Sequence, residues 1–142
     1  MRWGSKLKPG LILLHKNFVF ADGTTKDKYL IVLGLLDGVI VAAKTTSKGH
    51  RYRNDHGCQA GNYYPAFLLT AGCCALPLNT WVCLSEFYEL QEADLVQGVT
   101  SGGIFRFGYL DGELTKDVQF CASMCDDITM HQEAIIKSSI AP

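Results

Sequence analysis

YLIVLGLLDGVIVAA, residues 29–43, holds two apolar runs separated only by Asp37-Gly38. The first run, Tyr29–Leu36, is almost continuously apolar and so reads as a buried strand. An Asp-Gly pair between two strand-like runs is the strongest short-range signal for a β-hairpin. Tyr29–Leu36 and Val39–Ala43 are therefore expected to be antiparallel neighbours.

Working outward, Leu11–Phe20 (LILLHKNFVF) is strand-like and ends in the turn signal Ala21-Asp22-Gly23. Beyond the hairpin, Tyr63–Leu69 reads as a further strand, which Pro65 confines to an edge or a bulge. Thr80–Leu90 reads as one more strand, rich in aromatic and β-branched residues. Glu92–Val96 reads as a short helical turn, Gly98–Gly103 as a loop, and Ile104–Leu110 as a short apolar piece. Asp111 is placed to cap a helix over about 112–124, with Leu114, Val118, Cys121 and Cys125 as its apolar stripe. A second helix over about 128–138 follows Asp126-Asp127. Strands first and helices afterwards predict an α+β fold, a compact antiparallel barrel or sheet with helices packed on it.

The totals fit one domain over residues 1–142, the sheet occupying about 1–110 and the helices about 111–138. A chain of 142 residues buries roughly 68–70% of the surface its unfolded form exposes. Its residues are 48% hydrophobic and 19% charged, with a mean hydropathy of +0.10, which excludes a disordered chain. The apolar run Leu11–Leu14 is too short for an exported leader, and no window approaches a membrane span, so a cytoplasmic protein is expected. The six cysteines, Cys58, Cys73, Cys74, Cys83, Cys121 and Cys125, are expected to remain thiols, because the core suffices without staples and the cytoplasm is reducing. His50, His56, Cys58 and the Cys73-Cys74 pair make the best zinc set, but they include no CxxC and adjacent cysteines chelate one ion poorly. Neither a metal nor a cofactor is expected.

Past the second strand of the hairpin the composition inverts. Lys44, Lys48, Arg51 and Arg53 cluster with His50 and His56 in a chain of net charge −1, and Asp55 is the only acid from Lys44 to His56. Thr45, Thr46 and Ser47 add hydroxyls, and Tyr52, Tyr63 and Tyr64 add aromatic faces. Long connections are polar because they are wet, and solvation alone accounts for such charges. Cations that meet phosphates beside aromatic faces that stack on bases also make a single-stranded nucleic-acid site. No GxxxxGK[ST], GxGxxG, HExxH or GxSxG motif occurs.

Taken as ordered blocks, the chain resembles the PemK/MazF-like toxins, ribosome-independent mRNA endonucleases of bacterial toxin-antitoxin pairs. The blocks are Pro9-Gly10 leading into LILLHKNF, Lys28 leading into YLIVLG, VIVAAKTTS with Thr45 at the best-matching position, WVCLSEFYELQEADL, and YLDGELTKDVQFCASM. They run in family order over most of the chain. The resemblance implies an SH3-like barrel with added helices, a homodimer, single-stranded RNA as substrate and an antitoxin as protein partner. Three departures bear on catalysis. Lys28 stands where the family carries arginine, keeping charge but losing the planar fork that grips phosphate in two places. Ser85 stands at an acidic position, and Tyr88 at a second arginine. Residues 98–104, the loop 44–63 and the helix after Asp126 are additions.

Cleavage of this type has a 2′-hydroxyl attack its own phosphodiester, which requires a base, a cation for the phosphorane and an acid for the leaving oxygen. Lys28 and Thr45 match the family pair, and His15 and His50 are candidates for the missing proton-transfer groups because imidazole titrates near working pH. Lys44, Thr46, Ser47, Lys48, Arg51, Tyr52 and Arg53 are the candidate RNA contacts. Plainer roles stand beside these: His15 as a packing histidine, His50 and His56 as exposed polar residues, Thr45 as an ordinary strand end. The alternative function is a catalytically inactive SH3-like barrel that binds RNA or a protein through residues 44–56.

Overall fold

The computed structural model describes residues 6–141. In chain order the elements are β1 (Leu11–Val19), β2 (Thr25–Leu36), β3 (Val39–Thr46), β4 (Ala66–Leu69), β5 (Thr80–Cys83), β6 (Tyr88–Gln91), α1 (Glu92–Ser101), β7 (Ile104–Tyr109), α2 (Gly112–Ser123) and α3 (Met130–Ser138). The fold is α+β, built on one seven-stranded antiparallel sheet of order β4-β5-β3-β2-β1-β7, with β6 also paired to β3.

The central hairpin forms as expected, Leu36 pairing with Val39. Asp37 and Gly38 both take positive φ, 51° and 81°, which matches the turn twist to that of the flanking strands. Its continuous apolar character follows from burial on both faces. Ile31, Leu33, Val41 and Ala43 join a core with Val118, Cys121 and Ala122 of α2 and Ile135 and Ile136 of α3. Leu30, Val32, Ile40 and Ala42 join a second core with Leu95 of α1, Leu11, Leu13 and Ile104. Successive residues thus feed opposite cores, as the two-residue strand period requires.

Several expectations are corrected. The strand expected over 63–69 is confined to Ala66–Leu69, and Tyr63 is 90% exposed. The single strand expected over 80–90 is two. Its first half pairs with β4 and with Thr45 and Thr46, whereas its second half pairs with Val39–Ala42, so the chain steps between two partners at residues 84–87. The turn and loop expected over 92–103 are one helix ending at Gly102, whose φ of 85° is left-handed. Gly98 sits inside that helix because a Cβ there would collide with the side chain of Ile104. Close packing of α1 on β7, rather than loop character, accounts for that glycine. The last helix starts at Met130, where Thr129 and Gln132 form a reciprocal capping box. Asp111 caps α2 by accepting from Leu114 N at 2.8 Å.

The closed barrel is not formed by hydrogen bonding: among the described residues no ladder joins β7 to β4 or β6. The all-thiol expectation is also overturned, since Cys58 and Cys121 form a disulfide. Cys58 bridges to Phe67 of β4, and α2 packs on the same core as Phe67, which brings the two Cα atoms to 5.5 Å. Cys73, Cys74, Cys83 and Cys125 are free. No described helix is long and apolar enough to cross a membrane.

Candidate nucleic-acid interface

The site lies where the hairpin forks. β2 and β3 stay paired down to Leu30 opposite Lys44. Beyond that point Thr45 and Thr46 leave β2 and pair with Val82 and Trp81 of β5, while β2 continues beside β1 to Thr25. Two side chains bridge the fork. Thr45 Oγ1 donates to Tyr29 O at 2.9 Å, and Lys28 Nζ donates to Thr45 O at 3.1 Å.

Two lobes of a cleft open from this crossing and share Lys26, Lys28, Thr45, Thr46 and Lys48. One lobe, about 270 Å³, is completed by Phe20, Lys44, His50, Arg51, Tyr52 and Cys83. The other, about 350 Å³, is completed by Asp27, Tyr29, Ser47, Leu76, Pro77, Leu78 and Thr80. Phe20 lies beneath two of the cations, its ring centre 5.9 Å from Lys28 Nζ and 5.4 Å from Lys44 Nζ. Arg51 extends the row outward, its guanidinium 4.8 Å from the ring centre of Tyr64.

The electrostatics are one-sided. The first lobe has five cations and no carboxylate in its lining. Among the described residues, Lys26, Lys28, Lys44, Lys48 and Arg51 form no salt bridge. Asp27, the one acid of the second lobe, is paired with Lys16 at 3.0 Å. Burial holds the Lys28 amine below the ordinary lysine range, and the charges of Lys26, Lys44 and Lys48 lower it further, against a smaller opposing pull from Cys83. Such a cluster of like charges is relieved by an anion.

The connection from β3 to β4 is held in shape by two residues that the sequence reading did not select. Gln59, 4% exposed, accepts from Arg53 N at 2.9 Å and donates to Arg53 O at 2.7 Å and His56 O at 2.8 Å. Trp81 Nε1 donates to Arg53 O at 2.8 Å, and its ring stacks on Tyr52. Tyr52 hydroxyl and Cys83 Sγ lie 3.6 Å apart, and burial together with this contact pushes the phenol well above its ordinary range.

Of the sequence candidates, Lys28, Thr45, Lys44, Thr46, Ser47, Lys48, His50, Arg51 and Tyr52 line the cleft. Thr45 is 3% exposed with its hydroxyl engaged by Tyr29 O, so it fixes Lys28 through its carbonyl. His15 and Arg53 line neither lobe. His15 is across the ladder from Lys28 but stands edge-on to Phe18 and lines a separate cavity with Glu89 and Asp94. Arg53 is engaged by both oxygens of Asp55 at 3.0 Å. Lys26 and Phe20 were missed, although Lys26 follows from strand alternation, two residues from Lys28 on the same face. No group of three or more metal-ligating side chains occurs among the described residues. The chain matches no protein-family model and no curated protein.

Proposed function

We propose that this chain binds single-stranded RNA in the forked cleft, with phosphates along Lys26, Lys28, Lys44, Lys48 and Arg51. The observation that carries the reading is that, among the described residues, none of these five cations has a carboxylate partner in a salt bridge. The aromatic rings that line the cleft, Phe20 and Tyr52 in one lobe and Tyr29 in the other, suit the exposed bases of unpaired nucleotides better than a duplex. Thr46 and Ser47 offer hydroxyl partners for a ribose. The resemblance to PemK/MazF-like toxins supplies RNA as the polymer. It also supplies an SH3-like barrel as the finer description of the sheet. In support, Ala75 of the connection between β4 and β5 lies against β7, a Cβ on Gly108 falling 2.9 Å from that of Ala75.

Cleavage is the second reading, favoured by one observation: His50 and Lys28 line the same lobe. Lys28 would stabilise the phosphorane and His50 would move the proton of the attacking 2′-hydroxyl. The family's antitoxin partner and homodimer belong to this reading.

The test is fluorescence anisotropy with a labelled mixed-sequence RNA across a salt series. Affinity is expected to fall with salt at a logarithmic slope no steeper than about −3.5, the limit for five cations on a single strand. Replacing Lys26 and Lys48 by glutamate should abolish binding. Binding that ignores salt, or survives this double variant, overturns the reading. Incubating the same RNA with wild-type protein and His50→Ala decides on cleavage: product from both or from neither removes His50 from catalysis.

A further inference from the structure

The geometry points to Lys28 as an imine-forming nucleophile, its partner an aldehyde carried beside a phosphate. The inference uses the cleft of the preceding reading but requires no RNA base.

Three features carry it. Lys28 is half-buried at the crossing of the fork, where Thr45 O holds its Nζ at 3.1 Å and so fixes the amine at the mouth of both lobes. No carboxylate lines the first lobe to hold a proton on that amine. Lys26, Lys44, Lys48 and Arg51 line the same lobe and form an anion site that brings a phosphate-bearing aldehyde to the Lys28 amine. A lysine desolvated beside other cations is the arrangement by which an amine becomes nucleophilic at neutral pH. The direction of the Lys28 shift agrees.

The step balances without a co-reactant. The neutral amine can keep one N–H on Thr45 O while its lone pair attacks the aldehyde carbon. One amine proton passes to the carbonyl oxygen to give the carbinolamine, whose hydroxyl then leaves as water with the remaining proton from nitrogen, so that a carbon–nitrogen double bond forms. Two sources of this chemistry exist, a small phosphorylated aldehyde and an abasic nucleic-acid strand, whose ring-opened sugar sets an aldehyde between two phosphates.

The experiment traps the imine with borohydride and maps the reduced adduct by peptide mass. The probes are pyridoxal phosphate, pyridoxal, and a single-stranded oligonucleotide with one abasic position. Pyridoxal phosphate is expected to label Lys28 ahead of every other lysine, and pyridoxal to lose that preference. Lys28→Arg keeps charge and donor but has no imine-forming amine, and is expected to lose the adduct, with an unchanged urea midpoint showing that the variant folds. Label spread over the exposed lysines, or an adduct that survives Lys28→Arg, overturns the inference. Strand binding without any adduct overturns it too and leaves the RNA reading intact. An adduct with pyridoxal phosphate, in a protein that binds no strand, supports the inference, assigns the small aldehyde as ligand and defeats the RNA reading.

Discussion

Cys58, in the connection between β3 and β4, is bonded to Cys121 in α2 across 63 positions of sequence. The bond ties the segment that carries His50, Arg51 and Tyr52 to the helix packed beneath the sheet. Closing a loop of this length removes freedom mainly from the unfolded chain. Replacing both cysteines by serine is expected to lower unfolding free energy by about 2–5 kcal/mol, read from urea midpoints. Peptide mapping without reductant should recover Cys58 joined to Cys121. An alkylated Cys58 in protein never exposed to reductant would remove this link.

Gly34 lies directly under α3. A Cβ there would fall 2.9 Å from Ile135 O and 2.9 Å from Ile136 Cα, both backbone atoms that cannot rotate away. Gly34→Ala is therefore expected to cost about 1–3 kcal/mol by pushing α3 off the sheet. Hydrogen exchange should localise the loss to residues 130–138, and uniform protection there would contradict it.

Gln59 touches neither lobe of the cleft, yet Gln59→Ala removes the acceptor of Arg53 N and the donor to His56 O, and leaves Arg53 O with Trp81 Nε1 alone, in a part-buried setting. A loss of about 1–3 kcal/mol is expected. Because the same segment presents His50 and Arg51, oligonucleotide affinity should fall as well. An affinity equal to wild type would show that the segment keeps its shape without Gln59.

Lys28 predicts a pH signature. Its folded-state value is below the unfolded value of about 10.4, so the unfolded chain binds the proton more tightly. The cost of charging it in the fold is present at neutral pH and disappears as pH rises from the folded value towards about 10.4. The thiols of Cys73 and Cys125, each pushed up to about 11 chiefly by burial, act in the opposite sense, losing stability as pH climbs above the ordinary thiol range. The readout is accordingly the difference between wild type and Lys28→Met. Wild type should gain on the variant with rising pH, and a flat difference would place Lys28 at an ordinary value.

The central hairpin, the Asp111 cap and the apolar stripe of α2 were legible because each rests on neighbours in sequence. The positive run from Lys44 onward was equally visible, and eight of its named candidates line the cleft together with Lys28 of β2. His15 and Arg53 could not be sorted from the others by sequence. What separates them is the packing of His15 on Phe18 and the two bonds from Arg53 to Asp55. Gly98 was misleading for a related reason: in sequence it suggests a break, and only the nearby Ile104 side chain explains its place within a helix.

By itself the sequence determined a buried strand in an antiparallel hairpin, helices after the strands, and a positively biased segment past one strand end. Periodicity and turn chemistry are local, and they survive without knowledge of what lies opposite. The tertiary structure alone decided that β3 changes partner at Thr45, that Cys58 meets Cys121, and that Lys26 and Lys28 face Lys44, Lys48 and Arg51 across a fork. Those relations join residues far apart in the chain. They depend on which strands pair and which faces pack, and no short window of sequence contains both partners.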